Sequence, residues 1–254
     1  MPTEQTTNDR TEKPYFFSFI IPAHNEEKYL KRTLGAICDI HYPKDRFEVF
    51  IIENGSTDKT FTIAKTFERS HENIIAMISE PKGVSRAKNL GMSKLSPQSE
   101  WTIFLDADTT LLPEFLNDLN VFFHRHEREN FAIGTTKVLP LENKSWYAYL
   151  WMFVYNVGHR FTKTSLAIQV MKTEMREKAQ FHHDLSLAED LKFIKDLLPF
   201  GKFFYINTDT VLTSTRRFDE VGWLKLFIIW NWDALMWKLR HHDKTAAKEY
   251  KIIR

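Results

Sequence analysis

The stretch "FFSFIIPAHNEEKYLKRTLGAI", Phe16 to Ile37, carries the pattern that decides the fold. Its first six residues form a short apolar run of the kind that makes a strand buried on both faces. The loop "PAHNE" follows. Apolar residues then return at Tyr29, Leu30, Leu34 and Ile37, a helical period. The same unit recurs: "FEVFII" (Phe47 to Ile52) predicts a second strand, then "ENGSTD", then a helix through Phe67 that Ser56 or Thr57 can cap. "NIIAMIS", "GVSRAKNLGMSKL" and "WTIFL" predict a third strand, a third helix and a fourth strand. Strands alternating with helices at such intervals imply an α/β fold, a mostly parallel sheet with right-handed crossovers. In that architecture the loops after the strand C-termini line the ligand crevice. Here those loops hold His24, Asn25 and Glu26; Glu53 and Asp58; Lys82, Gly83 and Arg86; and Asp106 and Asp108.

After Phe131 the rhythm loosens. "FAIGTTKVLP" reads as a strand that breaks it, and "SWYAYLWMFVYNVGHRF" as an aromatic helix. "LAIQV" is a short strand, and "LAEDLKFIKDLL" a helix opening on Glu189 and Asp190. "KFFYI" and "TVLTS" are two more short strands, followed by "TRRF" and a final helix, "EVGWLKLFIIWNWDALMWKLR". No repeat and no Pro-, Gly- or Ser-rich linker divides the chain, so the second half is grafted onto the sheet of the first.

With 254 residues, 43% hydrophobic and 27% charged, the chain can bury a substantial core and is not of disordered composition. A net charge of +2 is too small for a dedicated nucleic-acid binder. The single cysteine, Cys38, excludes an internal disulfide and fits a reducing, cytoplasmic setting. The polar opening segment, residues 1–14, has no apolar export signal and reads as a disordered tail. On that ground the sequons at Asn54 and Asn143 are chance matches. No uncharged run reaches the length of a transmembrane helix.

Two acidic pairs invite chemistry. Asp106 and Asp108, in "FLDADTT", either end a strand and cap the following helix or flank a divalent cation; like charges at i and i+2 are costly without one. Glu189 and Asp190 either oppose a helix macrodipole or do acid–base work.

Five segments in order resemble the family-2 inverting glycosyltransferases of the GT-A fold: "FIIPAHNEEKYLKRTL", "FIIENGSTDKT", "PKGVSRAKNLGMSK", "FLDADT" and "FHHDLSLAEDLKF", with the basic "TSTRRF" beyond them. The resemblance runs from about Ser18 to Phe218. It implies a transferase domain over 15–218, with a nucleotide-binding half to about residue 110 and an acceptor-side half from 111. Residues 219–254 would form a separate aromatic helix and basic tail. By the same resemblance Asp108, with Asp106, would bind Mn²⁺ or Mg²⁺ on the diphosphate of a UDP- or GDP-sugar. Hard oxygen ligands suit such ions, which stabilise charge on the departing phosphate. Asp190 would be the base that deprotonates the acceptor hydroxyl, with Glu189 beside it. Donor contacts would come from Ala23, His24, Glu26, Glu53, Lys82, Arg86, Asp106 and Ala107. Arg216 and Arg217 would either belong to a flexible loop over the diphosphate or be surface charge.

The chain departs from the family pattern at three points. Glu53-Asn54 stands where Asp-Asp is frequent, Ala188 where a glycine precedes Glu-Asp, and His182-His183 where an acidic pair is common. Those histidines could serve the acceptor, ligate a metal, or do neither. A sugar-1-phosphate nucleotidyltransferase would instead show an early Gly-rich signature, which "PAHNE" lacks. A catalytically silent module that binds glycans or partners is the other alternative.

Aromatic residues make up 14% of the chain, and six of the seven tryptophans lie from Trp146 onward. At 100° per residue the Trp223 to Leu239 helix is apolar over most of its circumference. It would be buried, packed on a partner, or seated at a membrane surface, where a lipid-linked acceptor would be found. The cluster from Trp146 to Tyr155 could instead stack on an acceptor sugar.

Overall fold

The computed structural model describes residues 13–183, 189–226 and 228–229. Its first half keeps the alternating rhythm: β1 (Phe17–Ala23), α1 (Leu30–Cys38), β2 (Phe47–Glu53), α2 (Thr60–Ser70), β3 (Ile74–Ile78), α3 (Val84–Lys94) and β4 (Trp101–Leu105). The four strands pair in parallel in the order β3-β2-β1-β4. Next come β5 (Thr109–Leu111) and α4 (Phe115–Arg125), the latter preceded by Glu114 at its N-cap. Neither Asp106 nor Asp108 is therefore a cap for that helix. Nor do Ser56 and Thr57 cap α2. Lys59 holds the N-cap position with no side-chain cap bond, and Asp58 Oδ1 before it accepts from Thr60 N at 2.9 Å.

The second half comprises β6 (Phe131–Thr136), β7 (Leu139–Pro140), α5 (Trp146–Thr162), β8 (Ile168–Lys172), α6 (Glu189–Leu197), β9 (Lys202–Ile206), β10 (Val211–Thr213) and α7 (Arg216–Val221). β8, β6 and β9 extend the sheet to seven strands, β3-β2-β1-β4-β8-β6-β9. β8 runs against both of its neighbours, and the other six share one direction. A small second sheet, β5-β10-β7, sits beyond the C-terminal end of β4.

Strand alternation builds a core on each face. Phe17, Phe19 and Ile21 of β1 join Val49, Ile51, Ile103 and Leu105 under α1 and α4. Ile20, Phe50, Ile52 and Phe104 point the other way, into a cluster with Ala87, Met92, Phe193 and Ile194 of α3 and α6. Each fully buried Phe or Ile in these layers contributes about 1.5–3 kcal/mol. The helices thus clamp the sheet on both sides and leave its C-terminal edge to the loops.

Lys13 and Pro14, placed in the tail by the sequence, are held: the Pro14 carbonyl accepts from Arg46 Nε at 3.1 Å and that of Lys13 is 2.9 Å from His124 Nε2. Residues 1–12 lie outside the described residues. So does most of the helix expected from Trp223 to Leu239. At its start, Trp223 and Leu226 pack with Phe218 against Ala148, Met152 and Tyr155 of α5. Among the described residues no helix is long and apolar enough to cross a membrane.

Candidate active site

The loops that follow β1, β2 and β3, the turn after β4, and the first residues of α6 and α7 come together at the C-terminal edge of the sheet. The turn between β4 and β5 is the residues Asp106, Ala107 and Asp108. Three contacts hold it: Asp106 N donates to the Ala167 carbonyl (3.0 Å), Thr109 N to the Asp106 carbonyl (3.1 Å), and Thr33 Oγ1 of α1 to the Ala107 carbonyl (2.8 Å). Ala107 is buried, so the turn is anchored through its middle residue while its two carboxylates face the cleft.

Both carboxylates are pushed above their ordinary range. Asp106 opens on the cleft but is crowded by protein. That desolvation and the charge of Asp108 raise it to about 7, against the pull of Lys88. Asp108 is raised by burial, opposed by the guanidinium groups of Arg216 and Arg217. Arg216 Nη2 lies 3.0 Å from Asp108 Oδ2 and 2.7 Å from Glu26 Oε1, and the guanidinium stacks 4.3 Å over the Tyr29 ring. The two arginines are not in a loop. They open the short helix α7.

Near this turn stands a second group, whose Lys88 and Asp190 act on the Asp106 carboxylate. Lys88 of α3 is buried, yet its ammonium lies 2.6 Å from Asp190 Oδ1, 3.9 Å from Glu189 Oε1 and 4.8 Å from the Phe181 ring centre. Burial alone would lower the lysine's pKa; the charges of Asp190 and Glu189 outweigh it and the net shift is upward. Burial and the neighbouring Asp190 push Glu189 up to about 7, with Lys88 opposing. Asn89 pins Phe181 through paired bonds, Nδ2 to the carbonyl (2.8 Å) and Oδ1 from the backbone N (2.9 Å).

Sequence reasoning passed over Lys88. The signal was present: Ser85, Lys88, Gly91 and Met92 recur at helical spacing, which puts the lysine on the buried face of α3. Its partner, 102 residues away, had no local signal.

The expected donor residues divide. Lys82 Nζ donates to His24 Nε2 at 2.8 Å, joining the loops after β1 and β3. The Ala23 carbonyl is engaged by Asn54 N at 2.9 Å, so that part of its backbone already serves the fold. Glu53 is buried and accepts from Ser56 N. Asn54, also buried, accepts from Gly83 N at 2.6 Å. The Glu53-Asn54 pair thus ties loop to loop. Arg86 is exposed on the first turn of α3. His182 pairs with Asp196 at 3.0 Å and His183 is exposed. Residues 184–188, leading into Glu189, lie outside the described residues.

The Asp-Ala-Asp turn suits a divalent cation in its chemistry. Its hard oxygen donors carry like charges in a desolvated setting, a cost that a cation relieves. Among the described residues no group of three or more His, Cys, Asp or Glu side chains could hold a metal ion by itself. An ion here would need ligands beyond these described side chains, as a diphosphate and water can provide.

Comparison with known proteins bears on the fold and the family. A 206-residue match at 32% identity covers 80% of the chain and 40% of the minor teichoic acid biosynthesis protein GgaA of Bacillus subtilis. The dolichyl N-acetyl-alpha-D-glucosaminyl phosphate 3-beta-D-2,3-diacetamido-2,3-dideoxy-beta-D-glucuronosyltransferase of Methanococcus voltae is 26% identical over 235 residues, covering 83% of the chain and 70% of that protein. The chain therefore spans well under two thirds of the first of these relatives. Among solved structures, Staphylococcus aureus TarS 1-349 in complex with UDP-GlcNAc superposes with a TM-score of 0.65 at 21% identity, over 79% of the chain and 59% of its own. The Pyrobaculum calidifontis mannosyltransferase PcManGT, solved with GDP-Man and Mn²⁺, gives 0.59 at 16%, over 78% and 56%. These likenesses match the GT-A architecture expected of the sheet. The family model "Glycosyl transferase family 2" covers residues 18–181, and the chain belongs to that family.

Proposed function

We propose that the chain moves a sugar, with inversion, from a UDP- or GDP-sugar to a hydroxyl of a glycan or lipid-linked acceptor. The observation that carries this is the adjacency of two charge clusters at one edge of the sheet: Asp106, Asp108 and Arg216 in one, Lys88, Glu189 and Asp190 in the other, with Lys88 and Asp190 near enough to act on the Asp106 carboxylate. The missing early Gly-rich signature argues against a nucleotidyltransferase, and the presence of Asp106, Asp108 and Asp190 argues against a silent binding module.

Asp108 and Asp106 would hold a Mn²⁺ or Mg²⁺ ion against the donor diphosphate. When bound, such an ion neutralises charge that builds on the leaving group. Arg216, and Arg217 beside it, supply further positive charge; a guanidinium fork matches phosphate oxygens. Asp190 is the proton acceptor. The acceptor hydroxyl gives its proton to the Asp190 carboxylate as its oxygen bonds to the anomeric carbon. The bond from that carbon to the phosphate oxygen breaks, and the nucleoside diphosphate leaves with the electron pair. Attack from the face opposite the diphosphate inverts the centre. Lys88 holds Asp190 in place without touching substrate. Two relatives support the donor class, since TarS was solved with UDP-GlcNAc and PcManGT with GDP-Man. The setting we favour is the cytoplasm or the cytoplasmic face of a membrane.

Calorimetric titration of UDP and GDP, with and without Mn²⁺, tests the reading. One nucleotide should bind in a metal-dependent way and fail to bind Asp108→Ala. Asp190→Asn should bind that nucleotide normally and lose transfer by about 10²–10⁴-fold, the usual contribution of a positioned base. An Asn variant with full transfer activity would reject the base assignment. Absence of nucleotide binding by the wild-type chain would favour the silent module.

A further inference from the structure

The exposed aromatic surface of this chain is organised. Trp146, Tyr149, Leu150, Phe153, Val157 and Phe161 of α5 follow helical spacing and fall within a sector of about 120°. Trp146, Phe153 and Phe161 are 77%, 64% and 78% exposed, values rare for rings of this size in a folded chain. The opposite face of the same helix is buried: Ala148, Met152 and Tyr155 pack on Phe218, Trp223 and Leu226. α5 is thus docked by one side and presents a convex apolar ridge, roughly 22 Å long, on the other. Two local features fix its ends. Ser145 caps the N-terminus, its Oγ accepting from Ala148 N at 3.4 Å, and Lys163 closes the C-terminus in the left-handed conformation with φ of 56°.

Charge selects the occupant. No Asp or Glu occurs between Glu142 and Glu174, whereas Lys144 and Lys163 flank the ridge and Arg160 lies within it. All three are exposed. A second copy of the chain would set these cations against their own counterparts. The chain's C-terminal residues 230–254 carry six Lys and Arg against three Asp and Glu, so they are also the wrong sign. A sugar acceptor needs one or two rings in a hollow, not six apolar side chains along a ridge. Trp and Tyr among aliphatic residues, with Lys and Arg at the margins, is the chemistry that seats a helix in the headgroup layer of a bilayer.

We propose that the outer face of α5 is a membrane-docking surface that binds anionic lipid. The face lies back to back with α7: Tyr155 meets Phe218 at 5.4 Å, and Phe218 follows directly on Arg216 and Arg217. Docking would therefore hold the helix that carries Arg216 and Arg217 about one to two helix diameters from the bilayer. The proposal does not depend on the donor assignment.

Co-sedimentation with phosphatidylcholine vesicles, with and without phosphatidylglycerol, tests it. The wild-type chain should bind the anionic vesicles and not the neutral ones, and the binding should weaken as salt is raised. Trp146→Ser with Phe153→Ser should lower vesicle partitioning roughly tenfold or more. Arg160→Glu should lower it about fivefold or more by the charge scale. Because Trp146 and Phe153 are exposed, the double variant should keep its melting temperature and nucleotide binding, which separates this result from a failure of the transferase reading. Three outcomes would overturn the proposal: no vesicle binding, equal binding by wild type and the double variant, or a dimer in light scattering that the double variant abolishes.

Discussion

Lys88 has a place that few lysines take. A buried ammonium is stable only when carboxylates compensate its desolvation, and here Asp190 and Glu189 do so at 2.6 and 3.9 Å. The pairing in turn keeps Asp190 at a fixed point on the cleft wall. Lys88→Met keeps much of the side-chain volume and removes the charge. It should reduce transfer about 10²-fold while leaving nucleotide binding near wild type, and Lys88→Arg should recover part of the loss. Equal loss of binding and transfer would mark Lys88 as a donor contact. Glu189 offers a separate test. Its folded-state pKa, raised to about 7, lies above the ordinary 4.5, so the folded chain holds this proton more tightly than the unfolded one. The sign follows: its contribution to stability is complete below about pH 4.5 and is lost as pH rises through about 7. In Glu189→Gln the unfolding midpoint should fall less steeply across that window. Parallel pH profiles for variant and wild type would mean that Glu189 is ionised throughout.

The elements show why strand and helix were legible and the cleft was less so. Short apolar runs mark β1 to β4 and a period of 3.6 marks the helices between them, because these patterns are local and hold whatever lies opposite. The positions of Asp106 and Asp108 were legible for a related reason, since a strand end tells where the next residues go, whereas Asp190 was singled out only by the family resemblance. α7 was not: its six residues give no full period, so Arg216 and Arg217 read as loop or surface charge. Loop-to-loop bonds such as Asn54 to Gly83 and Lys82 to His24 join segments 29 and 58 residues apart, and no local pattern carries them. Gly91 tests helix-to-strand packing. Ala in place of a mid-helix glycine normally stabilises by about 1 kcal/mol. At Gly91 a Cβ would meet Ile20 Cγ2 of β1 at 2.5 Å, too close without moving α3 off the sheet. Gly91→Ala should therefore destabilise by about 1–3 kcal/mol in denaturant unfolding, the usual cost of overpacking. A gain in stability would mean that the α3–β1 gap can open freely.

At the scale of the whole molecule, one guanidinium links the beginning of the fold to its end. Arg216 reaches Glu26, 190 residues earlier, and Asp108 at the end of β4, with Tyr29 beneath it. In the structure it offsets two carboxylates; under the proposed function the same group would lie beside the donor diphosphate. Both roles can be read in one variant. Arg216→Met leaves Glu26 and Asp108 without their shared cation, and it should destabilise the empty chain by about 2 kcal/mol, somewhat below the cost for a fully buried pair because these groups keep some water. Donor with Mn²⁺ at a hundredfold excess over Kd stabilises a protein by about 2.7 kcal/mol, which for a chain of this size raises Tm by roughly 5–10 °C. A charge-assisted bond to phosphate is worth about 1.5–3 kcal/mol, so at the same donor concentration the variant should lose half or more of that rise. The two effects are measured in the same thermal scan. A lower Tm with the full donor-induced rise would make Arg216 a brace of the empty fold alone. An unchanged Tm with no rise would make it a donor ligand whose contacts to Glu26 and Asp108 contribute nothing to stability.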